Sequence, residues 1–291
     1  MPAPVVGVKI HGGIGNALQS LPLIRHLQSL GITPNVLPGR LESGGISDIF
    51  RCLAQHERVL FDANVIMQFV LDLPYFKNCV SPMTGMPLFW HEVFDVSWGW
   101  LSGEAALYLR MATTEKTLPP PQKYRFYLDA DIKRVEQWKG RTVVSFEGKR
   151  KQKIKRYPFA VEVAERLPGS VFVGLERLPA LPESVIDLRG KLKLTEVAAL
   201  LGSAKRCIAN DSGIAHLSAA VGCPTFVIFG PTSPLKNRPP WPWVEVFTKQ
   251  EGCIDCQSKG AMKEDCPLSM PPPCLSIDPG YILAEFKKRF P

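Results

Sequence analysis

The sequence predicts an α/β protein of two domains, each built around a parallel sheet. Three observations support this fold class. A strand, a glycine-rich turn and a helix follow one another at the N-terminus, the second half of the chain alternates short apolar strands with helices, and three consecutive prolines separate the two regions. With 291 residues, of which 45% are hydrophobic, the chain has enough apolar material for two cores.

The N-terminal unit begins with a β-rich run over residues 5–10. A loop with three glycines follows at residues 11–16, and apolar side chains then recur every third position up to Leu30, which predicts a strand, a turn and a helix. Pro22 removes a backbone donor and should kink that helix or start a second one, and Gly31 is suited to cap it. Further short strands are predicted at residues 36–37, 58–61 and 93–96.

The three prolines at positions 119–121 indicate the start of an interdomain connection, because proline cannot continue a helix or a central strand. The predicted organisation is therefore an N-terminal domain over residues 1–118, a connection over residues 119–140, a second domain over residues 141–276 and a C-terminal helix over residues 277–291.

The second domain has the clearer pattern. Strands are predicted at residues 142–146, 171–174, 185–188, 206–209 and 225–229, and helices at residues 158–167, 194–201 and 214–221. Strands that alternate with helices imply a parallel sheet. The C-terminal helix is predicted from Asp278 as its N-cap and Pro279 in its first turn, and its basic end suits the helix dipole. It either docks on the domains or makes a weak contact with a membrane surface.

The net charge of +8 favours anionic partners, which include phosphates, nucleic acid and an acidic membrane surface. The densest basic run lies at residues 149–156, where a solvated loop is the alternative explanation. No apolar run approaches the ~18 residues that span a bilayer, and Lys9 and His11 interrupt the early apolar stretch before it could act as a signal peptide. A cytoplasmic protein with reduced thiols or metal-bound cysteines is therefore expected.

The segment around residue 212 predicts an anion-binding site. Asp211, Ser212 and Gly213 fall at the start of a helix, where free N–H groups and the helix dipole attract a phosphate that Gly213 allows to approach closely. Ser212 adds a hydroxyl, and His216 lies on the side of the helix opposite its apolar stripe, where it is placed to face a ligand. The alternative is that Asp211 or Ser212 only caps the helix. A second small-residue loop, Gly230, Pro231 and Thr232, follows the next strand at the edge where ligands of open α/β sheets bind.

These motifs resemble those of the heptosyltransferases, which use ADP-heptose to build the inner core of lipopolysaccharide. The resemblance rests on residues 210–220 with Pro224 and residues 229–232, on the glycine loop at residues 13–18 followed by Leu21 and Pro22, and on residues 155–159. It implies a GT-B architecture, in which two Rossmann-like domains face each other across a cleft. It also implies inverting, metal-independent transfer from a nucleotide-diphosphate sugar bound to the second domain. The glycine loop of this chain also resembles that of fucosyltransferases, so the transferred sugar need not be heptose.

The resemblance assigns the donor site to residues of the second domain. These residues are Lys155, Gly174, Glu176, Asp211, Ser212, Gly213, His216, Gly230, Pro231 and Thr232. Gly12, Gly13 and Gly15 form the loop on the acceptor side. At position 16 the family usually has a catalytic Asp, whereas this chain has Asn16, which cannot take a proton from the acceptor hydroxyl. We expect His11 to be the base and Asn16 to orient the acceptor; the alternatives are that Asn16 caps the first helix and that His11 only binds the loop.

Four cysteines near the C-terminus form a separate cluster. Cys253, Cys256, Cys266 and Cys274 include one Cys-x-x-Cys pair and have the donor set of a tetrahedral structural zinc site, with free thiols or disulfides as the alternative. No cofactor is expected to be required for catalysis.

Three functions compete. The first is a glycosyltransferase that acts on a saccharide or lipid-linked saccharide, at the inner face of the membrane if the acceptor is lipid-linked. The second is a catalytically silent protein that binds a sugar nucleotide, which Asn16 favours. The third is a glycosyltransferase that acts on nucleic acid, which the basic charge permits. The basic residues are not interleaved with aromatic residues that would stack bases, and this disfavours the third function.

Overall fold

The computed structural model of the chain describes residues 3–41, 44–61, 69–72, 121–147, 153–175, 179–249, 253–256 and 265–291. Within these ranges the elements form two parallel sheets, so the predicted α/β class with two sheets is confirmed. None of the helices in the described ranges is both long enough and apolar enough to cross a bilayer.

The first sheet has three parallel strands in the order β2-β1-β3. The strands are β1 (Val5–Gly12), β2 (Thr33–Leu41) and β3 (Phe69–Asp72), and the helices are α1 (Ile14–Gln19), α2 (Leu21–Ser29) and α3 (Gly44–His56). The predicted strand–turn–helix start is confirmed. The chain begins a second helix at Leu21, with Pro22 in its first turn, and Gly31 follows that helix with φ +80°.

Other expectations for this domain need correction. Residues 36–37 do lie in a strand, but residues 58–61 do not form one, because only Leu60 reaches the edge of β2, where it bridges to Asn35. Arg58 instead donates hydrogen bonds to the carbonyl of Gln28 in α2 and to that of Ile32, just before β2. The sequence did not predict α3 or β3, and the strand predicted at residues 93–96 lies outside the described residues.

The second sheet has six parallel strands in the order β6-β5-β4-β7-β8-β9. The strands are β4 (Thr142–Ser145), β5 (Val171–Phe172), β6 (Ile186–Asp187), β7 (Arg206–Asn210), β8 (Thr225–Phe229) and β9 (Val244–Thr248). The helices are α4 (Asp129–Val135), α5 (Ala160–Arg166), α6 (Leu194–Ser203), α7 (Gly213–Ala220), α8 (Pro234–Asn237) and α9 (Pro279–Arg289).

The pattern predicted for this domain is confirmed for all five strands, although β5 and β6 are shorter than expected. The C-terminal helix begins as predicted, because the Asp278 side chain accepts a hydrogen bond from the Tyr281 N–H at 2.8 Å. Three elements were not predicted, namely α4, α8 and β9. Helix α4 begins inside the segment expected to be a connection, and there the Thr195 hydroxyl donates to Asp131 at 3.0 Å.

One apolar cluster runs through both domains. It includes Val8 of β1 and Leu18 of α1 together with Ala209 of β7 and Leu217 of α7, all of them buried. A second cluster lies on the other face of the six-stranded sheet, where α9 covers the sheet with Phe286. The two domains therefore share one continuous core, and the second domain also buries a cluster of its own.

The segment over residues 121–128 holds the two domains together. The Tyr124 N–H donates to the Ala220 carbonyl of α7 at 2.8 Å, and the Tyr124 hydroxyl donates to the Leu21 carbonyl of α2 at 3.3 Å. Phe126 packs against Phe50 of α3 with the ring centroids 6.5 Å apart. The connection predicted from the prolines thus forms part of the core.

Candidate functional site: a charged cluster at the switch point of the second sheet

The strand order defines where a ligand would bind. Strand β4 pairs with β5 on one side and with β7 on the other, so successive strands are added in one direction up to β6 and in the opposite direction from β7 onwards. Ligands of open α/β sheets bind at such a switch point, outside the carboxyl ends of the strands. At this edge Glu147 follows β4, Asp211 follows β7 and Thr232 follows β8.

Lys155, Asp211 and Thr232 form a buried polar cluster at that edge. The Lys155 ammonium lies 2.7 Å from Oδ2 of Asp211, and the Thr232 hydroxyl donates to the same oxygen at 2.7 Å. Burial opposes ionisation of Asp211, but the charge and hydrogen bonds of Lys155 and the Thr232 hydroxyl hold the pKa of that carboxyl below its ordinary value. Asp211 is therefore ionised at neutral pH and fixes the position of the Lys155 ammonium.

The first turn of α7 opens beside this cluster. Ser212 precedes the helix in an extended conformation, and neither its side chain nor that of Asp211 caps the helix N–H groups. Ser212 thus occupies the N-cap position without a capping hydrogen bond from its side chain, and the anion-binding role of this turn stays a prediction. The first N–H groups of α7 have no acceptor within the helix. The Ser212 hydroxyl is also buried without a hydrogen-bond partner among the residues described.

Gly213 is in close contact with the first domain. A Cβ atom at this position would overlap Cγ2 of Ile14 in the first turn of α1. The sequence predicted that Gly213 leaves space for a phosphate, but in the structure Ile14 takes the space on this side of the glycine. Gly213 therefore allows α1 and α7 to pack together, and a phosphate would approach from the side of Lys155.

His216 is buried near Asp211 and Lys155, and its predicted role in facing a ligand stays a prediction. A Cβ atom at Gly15 would lie 3.1 Å from Cδ2 of His216, so the ring packs against the start of α1. Burial, reinforced by the nearby Lys155 charge, lowers the pKa of His216 to about 4, although the Asp211 charge acts in the opposite direction. The ring is therefore neutral at pH 7, and its Nδ1 has no hydrogen-bond partner in the described part of the chain.

Glu147 occupies the edge between β4 and β5. Its Oε2 accepts a hydrogen bond from the Leu175 N–H at 2.6 Å. Gly174 has φ +157°, at the limit of the glycine-favouring region, and a Cβ atom there would overlap the Glu147 carboxylate. Gly174 therefore lies beside Glu147, and its place near a nucleoside stays a prediction, while Glu176 lies outside the described residues.

The loop after β8 contacts the cysteine-containing tail. A Cβ atom at Gly230 would lie 2.7 Å from Cγ of Leu275 and 3.1 Å from Sγ of Cys274. The Gly230 carbonyl accepts a hydrogen bond from the Asp255 N–H at 2.9 Å. Gly230 thus packs against the tail and Pro231 is buried, while the Thr232 hydroxyl contacts the polar cluster.

The predicted catalytic residues lie in and before α1. Gly13 is the N-cap of α1 and Asn16 is in its first turn, so the alternative role of Asn16 as N-cap is wrong. Asn16 is partly buried and has an interaction partner. The side chain of His11, like the surroundings of Gly12, falls outside what the structure describes. The role of His11 as base stays a prediction.

The four predicted metal ligands are neighbours. Burial raises the pKa of Cys274 to about 12, and the charges of the other three thiols, Cys253, Cys256 and Cys266, add to the effect. All four cysteines are free, and within the described ranges no three His, Cys, Asp or Glu side chains stand in a metal-binding arrangement. The donor chemistry of four clustered thiols fits zinc or iron, but the side chains would have to adjust to hold the ion.

Sequence reasoning missed three residues of this site: Ile14, Glu147 and Asn210. Asn210 and Glu147 each stand at the carboxyl end of a strand, and this position could have identified them. No sequence signal could have identified Ile14, because its importance arises from the contact with Gly213 in the other domain.

The architecture is that of GT-B glycosyltransferases, as solved structures show. The E. coli ADP-heptose lipopolysaccharide heptosyltransferase II superimposes with a TM-score of 0.60 at 15% identity, covering 99% of this chain and 98% of that one. The iron-containing dodecameric glycosyltransferase TibC from enterotoxigenic E. coli H10407 gives a TM-score of 0.66 at 17% identity, covering 98% of this chain and 78% of that one. At these identities the likeness establishes the fold alone.

Within this class the sequence points to one family. Residues 167–266 match glycosyltransferase family 9 (heptosyltransferase). The lipooligosaccharide heptosyltransferase 2 of Haemophilus influenzae is 39% identical over 71 residues, which are 23% of this chain and 20% of that protein. The resemblance to heptosyltransferases predicted from the motifs is thereby confirmed. The aligned region spans only a fifth of this curated relative.

Proposed function

We propose that this protein is a glycosyltransferase that moves a sugar, with inversion and without a catalytic metal, from a nucleotide-diphosphate donor to a saccharide or lipid-linked saccharide. The observation that carries this proposal is the Lys155–Asp211–Thr232 cluster beside the open first turn of α7, at the switch point of a six-stranded sheet. A fixed ammonium and free helix N–H groups suit a diphosphate. The heptosyltransferase relatives favour ADP-heptose as the donor.

The same cluster would assist the reaction. In an inverting transfer, the acceptor hydroxyl attacks the anomeric carbon, the bond from that carbon to the diphosphate oxygen breaks, and the diphosphate leaves with additional negative charge. Lys155 and the first N–H groups of α7 would stabilise that charge as it develops. Asp211 lowers the net charge of the cluster but keeps the ammonium in place, so little reorganisation is needed during the reaction.

The acceptor proton requires a base, because Asn16 can orient a hydroxyl but cannot accept its proton. We propose His11 for this role, since it lies near the carboxyl end of β1 and an imidazole accepts a proton at neutral pH. His11→Ala should lower turnover by roughly 10²- to 10⁴-fold with donor affinity almost unchanged, while Asn16→Asp should keep or raise activity. Near-normal turnover of His11→Ala would remove His11 from the mechanism.

The donor is identified by a thermal-shift screen of ADP-, UDP- and GDP-sugars. A donor at a free concentration of one hundred times its dissociation constant should raise the free energy of unfolding by about 2.7 kcal/mol. The screen needs no knowledge of the acceptor. If no nucleotide sugar raises the melting temperature and calorimetry detects no binding of ADP, UDP or GDP, the proposed function fails.

Two alternative functions are distinguished by further measurements. Asn16 in place of the family's usual Asp favours a silent sugar-nucleotide-binding protein, which would bind the donor without hydrolysing or transferring it. A nucleic-acid acceptor would require a salt-dependent gel shift with DNA or RNA. A lipid-linked acceptor would instead place the protein at the inner face of the membrane, where the basic end of α9 could contact anionic lipid.

The four clustered cysteines offer at most one metal site, and we propose that any ion held there is structural. Elemental analysis for zinc and iron measures its occupancy. Removal of the ion by a chelator should unfold or loosen the tail before activity is lost. Immediate loss of activity in a folded protein would contradict a structural role.

A further inference from the structure

Glu147 and Lys155 are the described ends of the loop that follows β4, and Lys155 also contacts Asp211 after β7. The hydrogen-bond ladder between β4 and β7 stops at the pair Ser145 and Ala209, so Asn210 is the next position of β7 beyond the ladder. Its side chain is fully buried, with 0% exposure.

The Asn210 carboxamide binds both ends of this loop. Its Nδ2 donates to the Lys155 carbonyl at 2.9 Å and to the Glu147 carbonyl at 3.2 Å. Two carbonyls require an N–H donor, so only one orientation of the amide satisfies them. A carboxylate, an aliphatic group or a hydroxyl at this position could not make both bonds. One side chain thus fixes the spacing between the two ends of the loop.

The side chains of the two residues held in this way contact different groups at the carboxyl edge of the sheet. The Lys155 side chain reaches Asp211, the neighbour of Asn210 in sequence, so consecutive residues hold the backbone and the ammonium of Lys155. The Glu147 carboxylate reaches Leu175 beside Gly174. Asn210 therefore lies between the diphosphate side and the nucleoside side of the proposed donor site.

We propose that Asn210 is a positioning residue that sets where Lys155 meets the donor diphosphate. The inference rests on the proposed function of the site as a nucleotide-sugar site. It does not require Asn210 to touch the donor, because the residue acts through the backbone of Lys155. An N–H donor at this position restrains the loop before the donor arrives, so that less ordering is required during binding.

The test is a double-mutant cycle read by calorimetric binding of ADP, with UDP and GDP measured in parallel. Asn210→Leu, which keeps the volume but removes both donors, should weaken nucleotide binding by about tenfold or more, the effect of losing about one hydrogen bond. Lys155→Ala should weaken binding by about 5- to 150-fold. In the Lys155→Ala background, Asn210→Leu should change affinity by less than about twofold, because the group it positions is absent.

A matched control separates this role from general stability. Asn35 is a fully buried asparagine in β2 of the other domain, and Asn35→Leu should lower the melting temperature without weakening nucleotide binding. If Asn210→Leu does not fold, Asn210→Ser takes its place, because the short hydroxyl cannot span both carbonyls. An equal loss of affinity in both backgrounds, or no loss in the otherwise native protein, would overturn the inference. Absence of nucleotide binding by the native protein would instead overturn the proposed function.

Discussion

At the scale of single residues, burial decides which groups of the site are charged. Asp211 is ionised because Lys155 offsets its burial, whereas His216 is neutral because nothing offsets its burial sufficiently. The sequence predicted the identity of both residues but not these states. Spacing along a helix reveals which side a residue faces, but it does not reveal that Gly15 of the other domain closes that side.

The buried His216 makes stability depend on pH. Its pKa is about 4 in the folded protein, below the ordinary value near 6.5, so the unfolded chain binds more protons between these two values. The free energy of unfolding should therefore decrease as the pH falls from 6.5 to 4, by about 3 kcal/mol in total. Denaturant unfolding at a series of pH values measures this decrease, which His216→Gln should remove.

The pH window of this measurement is specific to His216. Asp211 has a lowered pKa, so its contribution to the free energy of unfolding is present at pH values above its ordinary pKa. This contribution is lost only at pH values below about 4, outside the pH window of His216. A His216→Gln protein with the pH dependence of the native protein would show that the ring is solvated.

At the scale of elements, the contact between α1 and α7 depends on one glycine. Gly213→Ala should destabilise the protein by about 1–3 kcal/mol, the usual effect of overpacking, because the new methyl group overlaps Cγ2 of Ile14. Ile14→Ala removes that methyl group and should recover most of the loss when the two substitutions are combined. Chemical denaturation of the three variants measures the coupling. If the losses in unfolding free energy of the two single variants add up in the double variant, the helices do not meet at this point.

The elements also show what local sequence can predict. Strands β7 and β8 and helix α7 were recognised because each is a short apolar run with clear ends, and Gly222 ends α7 with φ +87°. Strand β9 was missed because two of its five residues are charged or polar and only Val244 and Phe247 are buried. The strand is defined by its pairing with β8 rather than by its own pattern.

At the scale of the whole molecule, the shared core should make the two domains unfold together. One cluster contains residues of both sheets, and the connecting segment buries Phe126 completely. Calorimetry should therefore show a single transition. Phe126→Ala should destabilise the protein by about 3–5 kcal/mol, whereas Ile132→Ala on the exposed face of α4 should have little effect. Two separate transitions in the native protein would contradict a shared core.

The prolines predicted the start of an interdomain connection, but they did not reveal what the following segment does. A run of prolines predicts only that no regular element continues, because proline lacks a backbone donor. The hydrogen bonds of Tyr124 to both domains depend on distant carbonyls, those of Leu21 and Ala220. Long-range contacts of this kind are not encoded in any local pattern.

The contact between Ile14 and Gly213 also constrains how this protein can diverge. Because a side chain at 213 would overlap Ile14, a substitution at 213 should be accommodated best where position 14 becomes small. The glycine of the Asp-Ser-Gly sequence would then be retained by selection on interdomain packing as well as by selection on ligand binding. In a set of related sequences, substitutions at these two positions should therefore occur together, even in descendants that have lost the catalytic reaction.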